Sequence, residues 1–204
     1  MLESEKWNVY SHLLGFFLSV LGIFPLIYYS ILTVDIFKII GITIYGICLI
    51  GLFASSTLYH SSTGKKRKAL QKLDHISIFL LISGTYTPFM LITLRNSTGF
   101  YLLATIWSIS FLGILFKFFL AHKYDFISTI FYLFCGWLIV FDFQNFYSLY
   151  NGIGFYWLSL GGGLYSIGTI FFLFEKIPMS HEIWHVFVLL GGISHYISIF
   201  FYLI

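Results

Sequence analysis

Charge is scarce in this chain of 204 residues: Asp, Glu, Lys and Arg make up 9% of it, against roughly 25% in a typical soluble domain. Water therefore cannot be its main solvent. A freely soluble enzyme is excluded, and nucleic acid is not an expected partner. Cysteine is almost missing too. Cys48 and Cys135 both sit inside apolar runs, so no disulfide is expected and nothing follows about redox compartment. No Pro/Gly/Ser-rich linker, low-complexity tract or internal repeat divides the chain, which points to one compact domain over residues 1–204. The opening residues, Met1-Leu2-Glu3-Ser4-Glu5-Lys6, lack the basic region of a secretory signal peptide. The apolar stretch after them is too long for a signal sequence, so it is expected to remain as an anchor.

What is abundant is hydrocarbon. The chain is 59% hydrophobic with a mean hydropathy of +0.91, and it carries 25 Phe and 15 Tyr. A membrane-spanning helix needs roughly 20 mainly apolar residues, and seven stretches qualify: 12–34, 38–60, 74–94, 99–119, 126–142, 152–174 and 182–204. The fold class is all-α, a polytopic seven-helix membrane bundle with the lipid bilayer as its main surroundings. The net charge of +3 says little, but its placement says more. Lys65, Lys66, Arg67, Lys68 and Lys72 crowd the second connection, Lys117 and Lys123 flank the fourth, and Lys176 lies in the sixth. With Lys6, all fall on one side of a seven-span topology, leaving Lys38 and Arg95 for the other. The positive-inside rule makes the basic side cytoplasmic, with the N-terminus inside and the C-terminus outside. Pro25 and Pro88 are expected to kink their helices. Gly161-Gly162-Gly163 and Gly191-Gly192 are expected to let helices approach closely.

Chemistry gathers around His181-Glu182-Ile183-Trp184-His185. Histidines four apart stand one above the other on a helix face and can reach one metal ion. The topology puts this pair at the cytoplasmic end of its span, together with Ser56 and His60 at the end of the second span and Asp74 and His75 at the start of the third. His60, His181 and His185 then supply the three protein ligands of a catalytic Zn²⁺. Asp74 is placed to accept the proton of a water on the metal, whose pKa zinc lowers to roughly 7. Ser56, four residues before His60, is expected to hold the second nitrogen of His60 or to orient the water. Other transition metals also accept imidazole ligands.

His181-Glu182-x-x-His185 also matches the H-E-x-x-H helix of zinc proteases, with Glu182 as general base. No Asp or Glu follows Glu182, so a carboxylate third ligand would have to come from upstream. An acid in the first turn of a helix is moreover favoured by the helix dipole. His12, His75, His122 and His195 are expected to be hydrogen-bonded packing residues.

Taken together, these pieces resemble the hemolysin III family, related to the progestin and adipoQ receptors and more distantly to alkaline ceramidases. The matching residues are Glu5-x-x-Asn8-x-x-Ser11-His12, Ser56-x-x-x-His60, Leu73-Asp74-His75, Gly84-Thr85-Tyr86-Thr87-Pro88, and His181-x-x-Trp184-His185 with His195 beyond. The resemblance implies a seven-helix bundle in the plasma membrane of a bacterium, with zinc near the inner leaflet held by His60, His181 and His185. It implies a site with Asp74 at the bound water and Ser56 beside it. The function expected is metal-dependent hydrolysis of a lipid amide or ester, with a membrane lipid as substrate or ligand. The alternatives are a membrane-lytic, pore-forming protein with a structural zinc, a lipid sensor or receptor, and the H-E-x-x-H intramembrane protease.

Overall fold

The computed structural model describes residues 5–120, 125–174 and 176–204, so Lys123 and His122 lie outside the described residues. These residues form helices and no strand: α1 Lys6–Leu32, α2 Ile36–Ser61, α3 Lys66–Ile92, α4 Gly99–Leu120, α5 Asp125–Gly136, a 3₁₀ turn Leu138–Asp142, α6 Phe143–Leu149, α7 Ile153–Leu173 and α8 Ser180–Tyr202. In hydrocarbon a backbone must satisfy its own polar groups, which leaves helices as the solution for long apolar runs. Seven units are long and apolar enough to cross a membrane, with α5, the 3₁₀ turn and α6 together making the fifth.

The helices pack in chain order, α1 on α2, α2 on α3, α3 on α4 and α7 on α8, and α8 closes back onto α1. Helix α3 is the most enclosed, which explains its polar face. Ser83 bonds Ser110 of α4 at 2.6 Å, and Ser55 of α2 bonds Ser77 at 2.9 Å. Around Pro88, Thr85 and Thr87 donate to the carbonyls of Leu81 and Ser83 at 2.8 and 2.7 Å. Gly41 lets α2 reach this point, since a Cβ there would lie 2.9 Å from the Pro88 Cα.

Two spans depart from expectation. Helix α3 begins at Lys66, not near residue 74, so Lys66, Arg67, Lys68 and Lys72 belong to a helix instead of the connection. Lys and Arg are good helix formers, and Arg67 is fastened by its bond to the Ser62 carbonyl at 3.1 Å and by stacking on Tyr59. The fifth span, expected as one helix over 126–142, breaks after Gly136 and continues to Leu149. The Tyr86 hydroxyl takes both freed backbone groups, donating to the Gly136 carbonyl at 2.9 Å and accepting from Ile139 N at 3.0 Å. Lys117, which flanks the fourth span, is fully buried.

Polar contacts tie each end of the bundle. At one end Glu5 meets both His60 and Arg67. At the other, Arg95 pairs with Asp35 at 3.0 Å, Lys38 donates to the Ile204 carbonyl at 3.0 Å, and Thr98 bonds Asp142.

Candidate metal centre

The end of the bundle that holds the start of α1 also holds the end of α2 and the starts of α3 and α8. His60 arrives from the last turn of α2, His181 and His185 from the first turns of α8. One ligand nitrogen from each lies within 4.8 Å of the other two. The Nε2 atoms of His60 and His181 stand 3.4 Å apart. Two nitrogens bound at ~2.0–2.1 Å to one tetrahedral zinc are about 3.3 Å apart, so the spacing fits a shared metal ion. His60 and His185 are buried, and His181 is half-buried at the mouth. The three histidines can hold a metal ion.

A carboxylate that the sequence reading gave no role sits behind His60. Glu5 Oε2 lies 2.6 Å from His60 Nδ1 and 2.9 Å from the Asn8 amide nitrogen, and Arg67 bonds its other oxygen. Burial alone pushes the Glu5 carboxyl up, but the bonds from Asn8, His60 and Arg67 outweigh it and hold the group at about 2. An ionised carboxylate only accepts, so Nδ1 of His60 carries the proton and Nε2 presents its lone pair toward His181. Of the two roles expected of Ser56, holding the second nitrogen of His60 thus falls to Glu5. Ser56 instead bonds the Asp74 side chain, joining α2 to α3 one turn below His60.

The remaining histidines separate. His12, expected as a packing residue, is buried with its ring centroid 3.8 Å from that of His185, so it walls the site. His195 faces the Leu158 carbonyl at 3.1 Å, a packing contact between α8 and α7. His75 lies outside the ligand group and approaches Lys117 at 3.0 Å. Glu182 lies in the first turn of α8 at the rim, outside the ligand group, whose third member is the His60 imidazole.

A cavity of about 860 Å³ opens onto this group, lined by Glu5, His60, His181 and Glu182 on one side and by His75 and Asp125 on another. A second, almost wholly apolar cavity of about 220 Å³ lies deeper in the bundle, bordered by Trp184, Val188, Leu52 and Phe89. Trp184 of this second cavity packs against Phe172, which lines the first, with ring centroids 5.4 Å apart.

Fold and site define a seven-helix membrane protein with a largely buried trihistidine group at one end of the bundle. The profile of the family described as Haemolysin-III related matches residues 1–196. The chain is 41% identical over 202 residues to the Hemolysin-3 homolog of Bacillus subtilis (strain 168), covering 98% of this chain and 95% of that protein. It is also 41% identical to Hemolysin-3 of Bacillus cereus over 204 residues, covering 100% and 93%. The monocyte to macrophage differentiation factor of Homo sapiens is 30% identical over 179 residues, covering 83% and 73%. The chain belongs to the haemolysin-III family, as a multi-pass integral membrane protein of a bacterium.

Proposed function

We propose that this protein is a metal-dependent hydrolase of a lipid amide or ester, with zinc as the metal. The observation that carries the reading is the convergence of three imidazole nitrogens from two helix ends, two of them 3.4 Å apart, with Asp74 bonded to Ser56 one helical turn before His60. His60, His181 and His185 would hold the metal, and Glu5 orients His60. A bound zinc ion would polarise a carbonyl and acidify water at its open position. Asp74, bonded by Ser56, is the general base, and Ser56 sets the direction of its free lone pairs. The ~860 Å³ cavity admits the polar part of a lipid, and the apolar cavity beyond Trp184 suits part of its acyl chain.

Purified protein, loaded with zinc, is tested against ceramide-like amides and phospholipids. The Asp74→Asn variant is expected to lose on the order of 10²–10⁴-fold in turnover while keeping its metal content. The His181→Ala variant is expected to lose bound zinc on elemental analysis. Undiminished turnover in Asp74→Asn sinks the mechanism, and loss confined to Glu182→Gln would favour the protease arrangement.

A further inference from the structure

The cavity that receives His60 and His181 has a second polar wall. His75 of α3 and Asp125 at the start of α5 both line it, and Lys117 of α4 holds both. Its ammonium donates to Asp125 Oδ1 at 2.7 Å and to His75 Nδ1 at 3.0 Å. Tyr132 completes the bracket by donating to the His75 carbonyl at 3.0 Å. A charged lysine inside a membrane helix is costly. Replacing a buried ion pair by apolar groups of similar volume is often neutral or stabilising, so stapling helices together is a weak reason to keep this one. The pair is also lopsided: the Lys117 side chain is 2% exposed and that of Asp125 48%. A staple buries both partners; here the cation is hidden and the carboxylate presented.

Helix α3 carries Asp74 and His75 side by side. Asp74 is bonded to Ser56 on α2. The next residue, about 100° further round the helix, is His75, which meets α4 and α5 instead. Phe126 and Phe172 add apolar surface to the same cavity. One space therefore offers a reaction centre, hydrocarbon surface and a separate anchored acceptor.

We propose that Asp125, steadied by Lys117 and His75, binds the hydroxyl of a lipid headgroup. A carboxylate accepts and cannot donate, so its partner must bring a donor. Lys117 already balances the charge, so a neutral hydroxyl suits the site better than an ammonium group. That the headgroup belongs to a substrate rests on the hydrolase reading; that it binds here does not.

N-palmitoylethanolamine and N-ethylpalmitamide differ by one hydroxyl and serve as probes. Zinc-loaded wild type is expected to favour the hydroxylated amide in kcat/KM by on the order of tenfold. The Lys117→Met/Asp125→Leu double variant, which removes both charges together, is expected to bring that ratio to about one. Asp125→Asn, used where the double variant does not fold, is expected to cut it by about threefold. A ratio that stays unchanged overturns the proposal, even where both rates fall together as a structural staple would make them. If wild type turns over neither amide, the hydrolase reading rests on the ceramide-like amides and phospholipids, and the anchor is read by thermal unfolding. The hydroxylated amide should then raise the wild-type unfolding temperature more than its ethyl counterpart, and equal shifts overturn the proposal.

Discussion

Glu5 shows how a single residue governs the metal group without belonging to it. Its carboxylate accepts a hydrogen bond from Nδ1 of His60, and Asn8 and Arg67 hold it in place. Such outer partners of metal-binding histidines typically contribute 10–100-fold to metal affinity. Glu5→Gln is expected to weaken zinc binding by about tenfold, measured by competition with a chromophoric chelator, and Glu5→Ala to weaken it further. Glu5→Gln binding zinc as tightly as wild type would show that His60 is oriented by its helix alone. The histidines themselves were legible in the sequence, because i, i+4 spacing places His181 and His185 on one face and topology brings His60 to the same end. The role of Glu5 was not: its partner His60 lies 55 residues away, and no local period connects the two. Lys117 marked a span end in the sequence, but its partners Asp125 and His75 could not be read there for a related reason, since they come from other helices.

At the level of elements, the decisive contact is between α7 and α8. A Cβ on Gly161 would lie 2.1 Å from Cδ2 of His195, whose ring is pinned against the Leu158 carbonyl, whereas a Cβ on Gly163 meets nothing within 4 Å. Gly161→Ala is therefore expected to destabilise the bundle by about 1–3 kcal/mol, while Gly163→Ala leaves the unfolding temperature in detergent nearly unchanged. Equal effects at the two positions would mean that α7 and α8 separate freely. The glycine run marked this interface in the sequence, but not which of its members touches a neighbour. The break in the fifth span was hidden for another reason. Its residues are apolar throughout, and what permits the break is a hydroxyl on α3, Tyr86, that satisfies the backbone groups of a distant segment. The start of α3 was hidden because hydropathy marks where a helix enters hydrocarbon, whereas the helix itself runs on through its basic residues.

For the whole molecule, the count of spans was legible because length and hydropathy alone decide it, and the position of the site followed from that count. What a bundle of this kind does to a membrane depends on whether it conducts or reacts. Its middle is an apolar core that includes Tyr45, Leu49, Leu52, Phe53, Phe89 and Met90, beside the almost wholly apolar second cavity. The end opposite the metal group is tied by Arg95 to Asp35, Lys38 to the Ile204 carbonyl, and Thr98 to Asp142. A bundle so packed has its polar space at one end, which suits a reaction site better than a conduit. Zinc-loaded protein reconstituted into phosphatidylcholine vesicles is thus expected to release trapped dye no faster than protein-free vesicles. Where lipids that serve as substrates are added, any release should track their hydrolysis, and Asp74→Asn should abolish both together. Rapid release that persists in Asp74→Asn, with no lipid cleaved, would make the bundle a conduit and reduce the trihistidine group to a clamp between α2 and α8.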